Sequence, residues 1–270
     1  MINKHLIIGE LKQHKKGFFI WTGVTLIFTL LVMAFFPSIK EAGDDLTKLL
    51  ESLPQGLLTG MGMDEMMMTT SLGFYKVYYA VYILVIMGIY LLSTGATIFT
   101  KEESKHTIEF LMSKPISRKS VFLSKCLTVL FLFLGITIIQ GAFAYFSLSF
   151  ADTEPLDIHT FITMHIHGAA LLFLFFSLGV LGSVFIHPLT NFMGFAVAVV
   201  FGSYLISALA QGAADFSWIG YISPFYYADF DISKSDYGIN YLTILVKIIL
   251  GIVFMTSAYF RFLKKDFLTL

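Results

Sequence analysis

Residues 77–100 read VYYAVYILVIMGIYLLSTGATIFT, a run with no Asp, Glu, Lys, Arg or His. A helix rises about 1.5 Å per residue, so such a stretch spans about 36 Å and crosses the ~30 Å hydrocarbon core of a bilayer. Five further runs are comparably long and nearly free of charge: Gly17 to Phe36, Cys126 to Ala151, Phe161 to Ile186, Phe192 to Ala213 and Tyr241 to Phe260. Apolar residues make up 57% of the chain and charged residues 13%, against roughly 25% charged in soluble domains. The chain therefore reads as all-α, a polytopic membrane protein with six transmembrane helices in a single domain over residues 1–270.

Charge orients the spans. Lys4, Lys12, Lys15 and Lys16 precede the first, Lys101, Lys105, Lys114, Arg118, Lys119 and Lys125 lie between the second and third, and Arg261, Lys264 and Lys265 follow the last. The alternate segments hold only Lys40, Lys48, Lys76 and Lys234, together with thirteen of the eighteen acids. Basic segments stay cytoplasmic, which predicts two cytoplasmic termini. The formal net charge of zero hides this asymmetry. Anionic membrane lipid accounts for basic residues beside span ends, so nucleic acid is not an expected partner. Residues 1–16 show neither the apolar core nor the cleavage site of a removable signal, and the first span is expected to direct insertion. The single cysteine, Cys126, forms no intrachain bridge and reads as an apolar packing residue.

The segments between spans carry their own patterns. Ile2, Leu6, Ile7 and Leu11 recur at helical spacing opposite Asn3, Lys4, Glu10, Lys12 and Gln13, which suits an N-terminal interfacial helix over 1–16. Leu46, Leu49, Leu50 and Leu53 predict an amphipathic helix ending near Pro54 and Gly56. Met61, Met63, Met66, Met67 and Met68 form a thioether-rich stretch; thioethers bind Cu(I), but without adjacent His or Cys the packing reading is preferred. Trp218, Tyr221, Phe225, Tyr226, Tyr227, Phe230 and Tyr237 make 214–240 an aromatic segment. It reads as an interfacial or re-entrant hairpin, or as a stacking surface for an amphiphile. The short link His187-Pro188-Leu189-Thr190-Asn191 makes the fourth and fifth spans antiparallel neighbours.

The most specific signal is Lys101-Glu102-Glu103-Ser104-Lys105-His106-Thr107-Ile108-Glu109-Phe110-Leu111-Met112-Ser113-Lys114-Pro115-Ile116-Ser117-Arg118. Ile108, Leu111 and Met112 share a helical face, Pro115 disfavours helix at Lys114, and Ser117 is placed to cap the third span with Ile116 and Val121 as a hydrophobic staple. A short helical elbow is expected. It resembles that of the ABC-2 family of ATP-binding-cassette transporter permeases, in which acidic residues after the second span lead into T-x-E-x-L-x-x-x-P-x-S-R and then a Lys. Thr107, Glu109, Leu111, Pro115, Ser117, Arg118 and Lys125 match. Leu72-Gly73-Phe74 and Trp218 through Ser223-Pro224-Phe225-Tyr226 also look like family features, and His106 departs from the Gly that many relatives place before the Thr.

The resemblance implies a permease subunit that works with a second permease copy or paralogue and with two ATPase subunits in a bacterial plasma membrane, exporting a hydrophobic or amphipathic substrate such as a peptide, antibiotic or lipid. It also implies that residues 101–118 form a coupling segment seated in a groove of the ATPase. Glu102, Glu103, Thr107, Ile108, Glu109, Leu111, Met112, Pro115 and Arg118 are its candidate coupling residues. No G-x-x-x-x-G-K-[ST] motif occurs, so ATP and Mg are expected on the partner and no cofactor on this chain.

Two other function classes have candidate residues in the sequence. An intramembrane enzyme would draw on His159, His165, His167 and His187 with Asp152, Glu154 and Asp157, but His165 and His167 point about 200° apart on a helix and cannot share one metal there. A secondary transporter or channel places ionisable residues at mid-membrane, and Lys247 is the one formal charge inside a span. That lysine reads either as a snorkelling or paired structural residue or as part of a translocation path.

Overall fold

Each apolar run coincides with a helix, two of the runs, ending at Ile186 and Ala213, passing the helix end by one residue. The computed structural model describes residues 2–43, 48, 52–61, 63, 66–113, 115–186, 191–228, 230–232 and 237–265. Helix α1 spans Lys4–Glu41, α2 Gln55–Gly60, α3 Met66–Thr69, α4 Ser71–Ser104, α5 Ile108–Met112, α6 Arg118–Ala151, α7 Ile158–Phe185, α8 Phe192–Gly212 and α9 Tyr241–Lys264. Six of these helices are long and apolar enough to cross a membrane. The turn Tyr79–Ile83 within α4 is π-helical, and a 3-10 helix, Ala214–Ile222, follows α8.

The starts of these helices follow from local chemistry. Oxygen side chains of Asn3, Thr70, Ser117, Asp157, Asn191 and Asn240 accept backbone N–H groups of the first turns of α1, α4, α6, α7, α8 and α9, satisfying donors that a helix leaves unpaired.

The segment read as a separate interfacial helix over 1–16 is instead the beginning of α1, which continues unbroken to Glu41. The reason is Glu10, only 2% exposed: its partners on α4 and α6 hold this face against the bundle, so the helix has no cause to turn into the membrane plane. The amphipathic pattern ending near Pro54 and the link at Pro188 fall largely on residues outside those described. Met67 is buried and Met63 packs against the core.

The pair α4 and α7 forms the centre. Within their apolar windows 72% and 67% of residues are buried, against 17% in α9, 22% in α8 and 28% in α1. Glycines set the closeness of the central pair. A Cβ on Gly179 would stand 2.2 Å from the Leu92 carbonyl oxygen, and one on Gly95 2.8 Å from that of Phe176. In lipid, where no hydrophobic force drives helices together, small residues let backbones gain van der Waals contact. Helix α9 packs on α7, α8 on α4, and α1 on α6.

The same device recurs at the acidic end of the bundle. Gly56 and Gly60 of α2 lie against the backbone of Gly212 and Ala208 of α8, where a Cβ on Gly56 would meet the Gly212 oxygen at 2.0 Å and one on Gly60 the Ala208 oxygen at 2.7 Å. Both helices place their small residues four apart, so one short helix is clamped to the end of a long one.

Candidate functional site

The end of α4 is closed by three backbone bonds. Lys105 N–H donates to the Lys101 carbonyl at 3.1 Å, His106 N–H to Glu103 at 3.1 Å and Thr107 N–H to Glu102 at 2.8 Å. This pattern is a Schellman motif, whose C′ residue adopts the left-handed conformation, and His106 has φ +52°. The departure from the family pattern noted at His106 thus falls on the position that demands positive φ. Thr107 then starts α5, its carbonyl accepting the Leu111 N–H at 3.2 Å. Ser117 Oγ accepts the Ser120 N–H at 3.3 Å and begins α6. Ile116 and Val121 both join the core.

The nine residues proposed for coupling separate into two groups. Thr107, Glu109 and Pro115 are exposed at the tip, and Leu111 is half-buried against the core. Met112 lies in α5. Glu102, Glu103, Ile108 and Arg118 instead face inward and form a base beneath the tip.

Charge organises that base. Lys125, 1% exposed, donates to the Glu102 carboxylate and to the Ile98 carbonyl, with the Glu10 carboxylate 3.6 Å away. Lys101 pairs with Glu10 and donates to Gln13 Oε1 at 2.8 Å. Glu103, 4% exposed, binds Lys265 through both carboxylate oxygens at 2.8 Å. Arg118 donates to the carbonyls of Leu263 at 3.1 Å and Lys265 at 2.9 Å, where the unsatisfied carbonyls of the α9 C-terminus favour a cation. Asn3 N–H donates to Ser124 Oγ at 3.0 Å.

The consequence is mechanical. The Glu102–Lys125 pair joins the two stems of the elbow, Lys101 and Lys125 reach α1 through Glu10, and Glu103 and Arg118 grip the end of α9. Glu10 and Lys265 were absent from the candidate set. Glu10 lay in a pattern that read as an interfacial face, and only its burial in a charged seam marks it. Ring contacts continue the seam: Phe99, Phe122 and Phe262 approach within 5.0–5.8 Å of one another.

Lys247, on α9, is 3% exposed and donates to the Tyr227 carbonyl at 2.9 Å. Its ammonium therefore turns into the protein toward the aromatic segment instead of reaching for water. The histidines lie apart. His165 hydrogen-bonds the Phe161 carbonyl through Nδ1 at 2.9 Å and stands 3.4 Å from the Tyr75 hydroxyl, whereas His167 Nε2 lies 3.4 Å from Gly238 O and from Asn240 N. Among the described residues no group of three or more His, Cys, Asp or Glu is placed to hold a metal ion.

The family described as ABC-2 family transporter protein matches residues 7–267, nearly the whole chain. No curated protein and no solved structure matches.

Proposed function

The chain belongs to the ABC-2 transporter family and is a permease subunit of an ATP-binding-cassette transporter whose ATPase is a partner chain; on that premise we propose that it forms a path for ATP-driven export of a hydrophobic or amphipathic substrate. Its basic end, with both termini, faces the cytoplasm of a bacterial cell, and it works beside a second permease copy or paralogue and two ATPase subunits.

The observation that supports this reading is the division of the elbow into tip and base. Helix α5 is too short to be stable alone, and it is held out from the bundle by stems that a buried ion pair ties together. Thr107, Glu109, Leu111, Met112 and Pro115 dock on the ATPase, while Glu102, Glu103, Ile108 and Arg118 transmit its displacement to α1 and α9. A groove receiving an exposed tip flanked by Lys105 and Lys119 and carrying one exposed acid, Glu109, is expected to pair with both signs. Lys247 acts as a brace for the aromatic segment, the structural one of the two roles open to it.

The test is Glu109→Lys in the complex with its ATPase. The expected result is at least a fivefold loss of stimulated ATP hydrolysis or of co-purification, with the melting temperature of the permease unchanged. Full coupling in this variant removes α5 from the docking surface. Transport that survives ATP depletion and stops when ion gradients are collapsed replaces the whole reading with that of a secondary transporter.

A further inference from the structure

The acidic end contains a hollow of about 700 Å³, inside the range of about 300–1,000 Å³ typical of small-molecule sites. Five parts of the chain enclose it: α2 with the residues after it, the first turns of α4, the end of α8, the aromatic segment after the 3-10 helix, and the start of α9 at Asn240 and Thr243. The clamp of α2 on α8 described above forms one wall. Another belongs to α4, whose Ala80 and Val81 sit in the π-helical turn. Turns of this kind sacrifice regular hydrogen bonding and recur where helices border functional sites.

The lining has two chemistries. Met61, Met63, Tyr204, Phe225 and Phe230 supply an adaptable apolar surface, anchored by the Tyr204–Phe225 ring contact at 5.8 Å and by Phe225 against Phe175 of α7 at 5.6 Å. Lys76, 4% exposed, and Ser207, 2% exposed, are the buried polar members, with the amides of Gln211 and Asn240 beside them. Among the described lining residues donors outnumber acids, Asp231 being the one carboxylate, and it is exposed.

Depth defines the occupant further. Lys76 lies five residues into α4, about 7–8 Å along its axis, and Ser207 about as far from the end of α8. The hollow therefore straddles the boundary between headgroups and acyl chains, where tyrosines also prefer to lie. We propose that this cavity, within a single permease chain, binds an acyl-chain amphiphile with an anionic headgroup, its chain against the methionines and aromatic rings and its headgroup among Lys76, Gln211 and Asn240. The assignment of this molecule as cargo rests on the export reading given above; its binding does not.

The test uses the complex in bilayer nanodiscs containing phosphatidylglycerol with a diazirine in its acyl chain, irradiated without nucleotide and mapped by mass spectrometry. Adducts on residues 204–211 and 225–232 are expected in at least fivefold excess over residues 248–253 of α9, where Ile248, Ile249, Leu250, Ile252 and Val253 are exposed. Ser207→Trp, which fills the hollow from α8, abolishes the excess and leaves labelling of α9 unchanged. Should that variant not fold, as judged by co-purification with the ATPase, Val81→Phe fills it from α4.

Lysophosphatidylglycerol competes and glycerol phosphate does not, because the chain contributes most of the contact area. Equal labelling of the two regions, an excess that persists in a folded filled variant, or competition by glycerol phosphate alone overturns the proposal. Because no nucleotide is present, these outcomes stand apart from any failure of ATP-driven transport.

Discussion

Two lysines in this chain are buried to nearly the same degree, Lys125 at 1% and Lys247 at 3% exposure, yet they are held in different ways. Lys125 sits among carboxylates of α1 and α4 at the basic end, so its charge is neutralised by other helices. Lys247 donates to a main-chain carbonyl of the aromatic segment at the acidic end. Lys125 thereby fixes α1, α4 and α6 relative to one another, whereas Lys247 fixes α9 against the main chain of the aromatic segment. The basic end is built as one charged block and the acidic end as walls around a hollow.

The comparison breaks most readily at Lys125. Removing one member of a buried pair leaves the other charge without compensation, at a cost of about 3–5 kcal/mol, so Lys125→Met is expected to lower the melting temperature of the purified protein sharply. Lys125→Arg, which keeps the charge, should recover part of the loss. Lys247→Met removes the ammonium and with it at least the charged hydrogen bond to the Tyr227 carbonyl, a loss of about 1.5–3 kcal/mol. Chemical denaturation in detergent measures both. Equal losses at the two sites would show that the ends are held alike and would end the comparison.

How much of this was legible in the sequence depends on the range of the interaction. The six membrane helices could be read because a charge-free run is a local property and α1, α4, α6, α7, α8 and α9 each contain one. The elbow could be read because Pro115 and Ser117 act on their immediate neighbours. The split between tip and base could not, since Glu102 and Glu109 are both acids of one basic segment and only the tertiary fold brings Lys125 to the first and leaves the second in solvent.

Glu10 shows the same limit more sharply. An amphipathic stripe has one pattern whether its face meets lipid headgroups or a neighbouring helix, and the partner that decides, Lys101, is 91 residues away. The sequence leaves Lys247 open between a snorkelling or paired structural residue and part of a translocation path, because the direction of a lysine near a span end is set by where the aromatic segment folds. The outer hollow lies between five separate segments, none of which signals a cavity by itself.

A smaller effect sharpens the account of the basic end. His106 adopts a conformation that costs an L-residue about 1–2 kcal/mol, while a glycine there would give back roughly 0.5–1 kcal/mol through the freedom of its unfolded chain. His106→Gly should therefore stabilise the protein by only about 0.5 kcal/mol, and the β-branched His106→Val should destabilise it by more than that. If both variants melt with the wild type, the cap contributes nothing to holding the elbow, and the ion pairs below it carry the whole task.

The smallest effect concerns the acidic end, where Asp152 performs in miniature what Lys125 does opposite. Its Oδ1 accepts from Lys40 Nζ at 3.0 Å and from the Glu154 N–H at 3.4 Å, and its Oδ2 from the Ser71 N–H at 3.2 Å, joining α1, α4 and α6. Burial pushes the carboxyl pKa up, but the Lys40 ammonium and the two backbone donors together outweigh it, and the group lies below its ordinary value. A carboxylate favoured by the fold contributes stability above its unfolded pKa of about 3.9 and loses it as pH falls through the lower folded value. Asp152→Asn should thus melt below the wild type by a margin that is constant from about pH 7 to pH 5 and shrinks below about pH 4. A margin that persists undiminished at about pH 3 would mean that the amide is penalised for its shape and not its charge, and the acidic end would then be held by geometry alone.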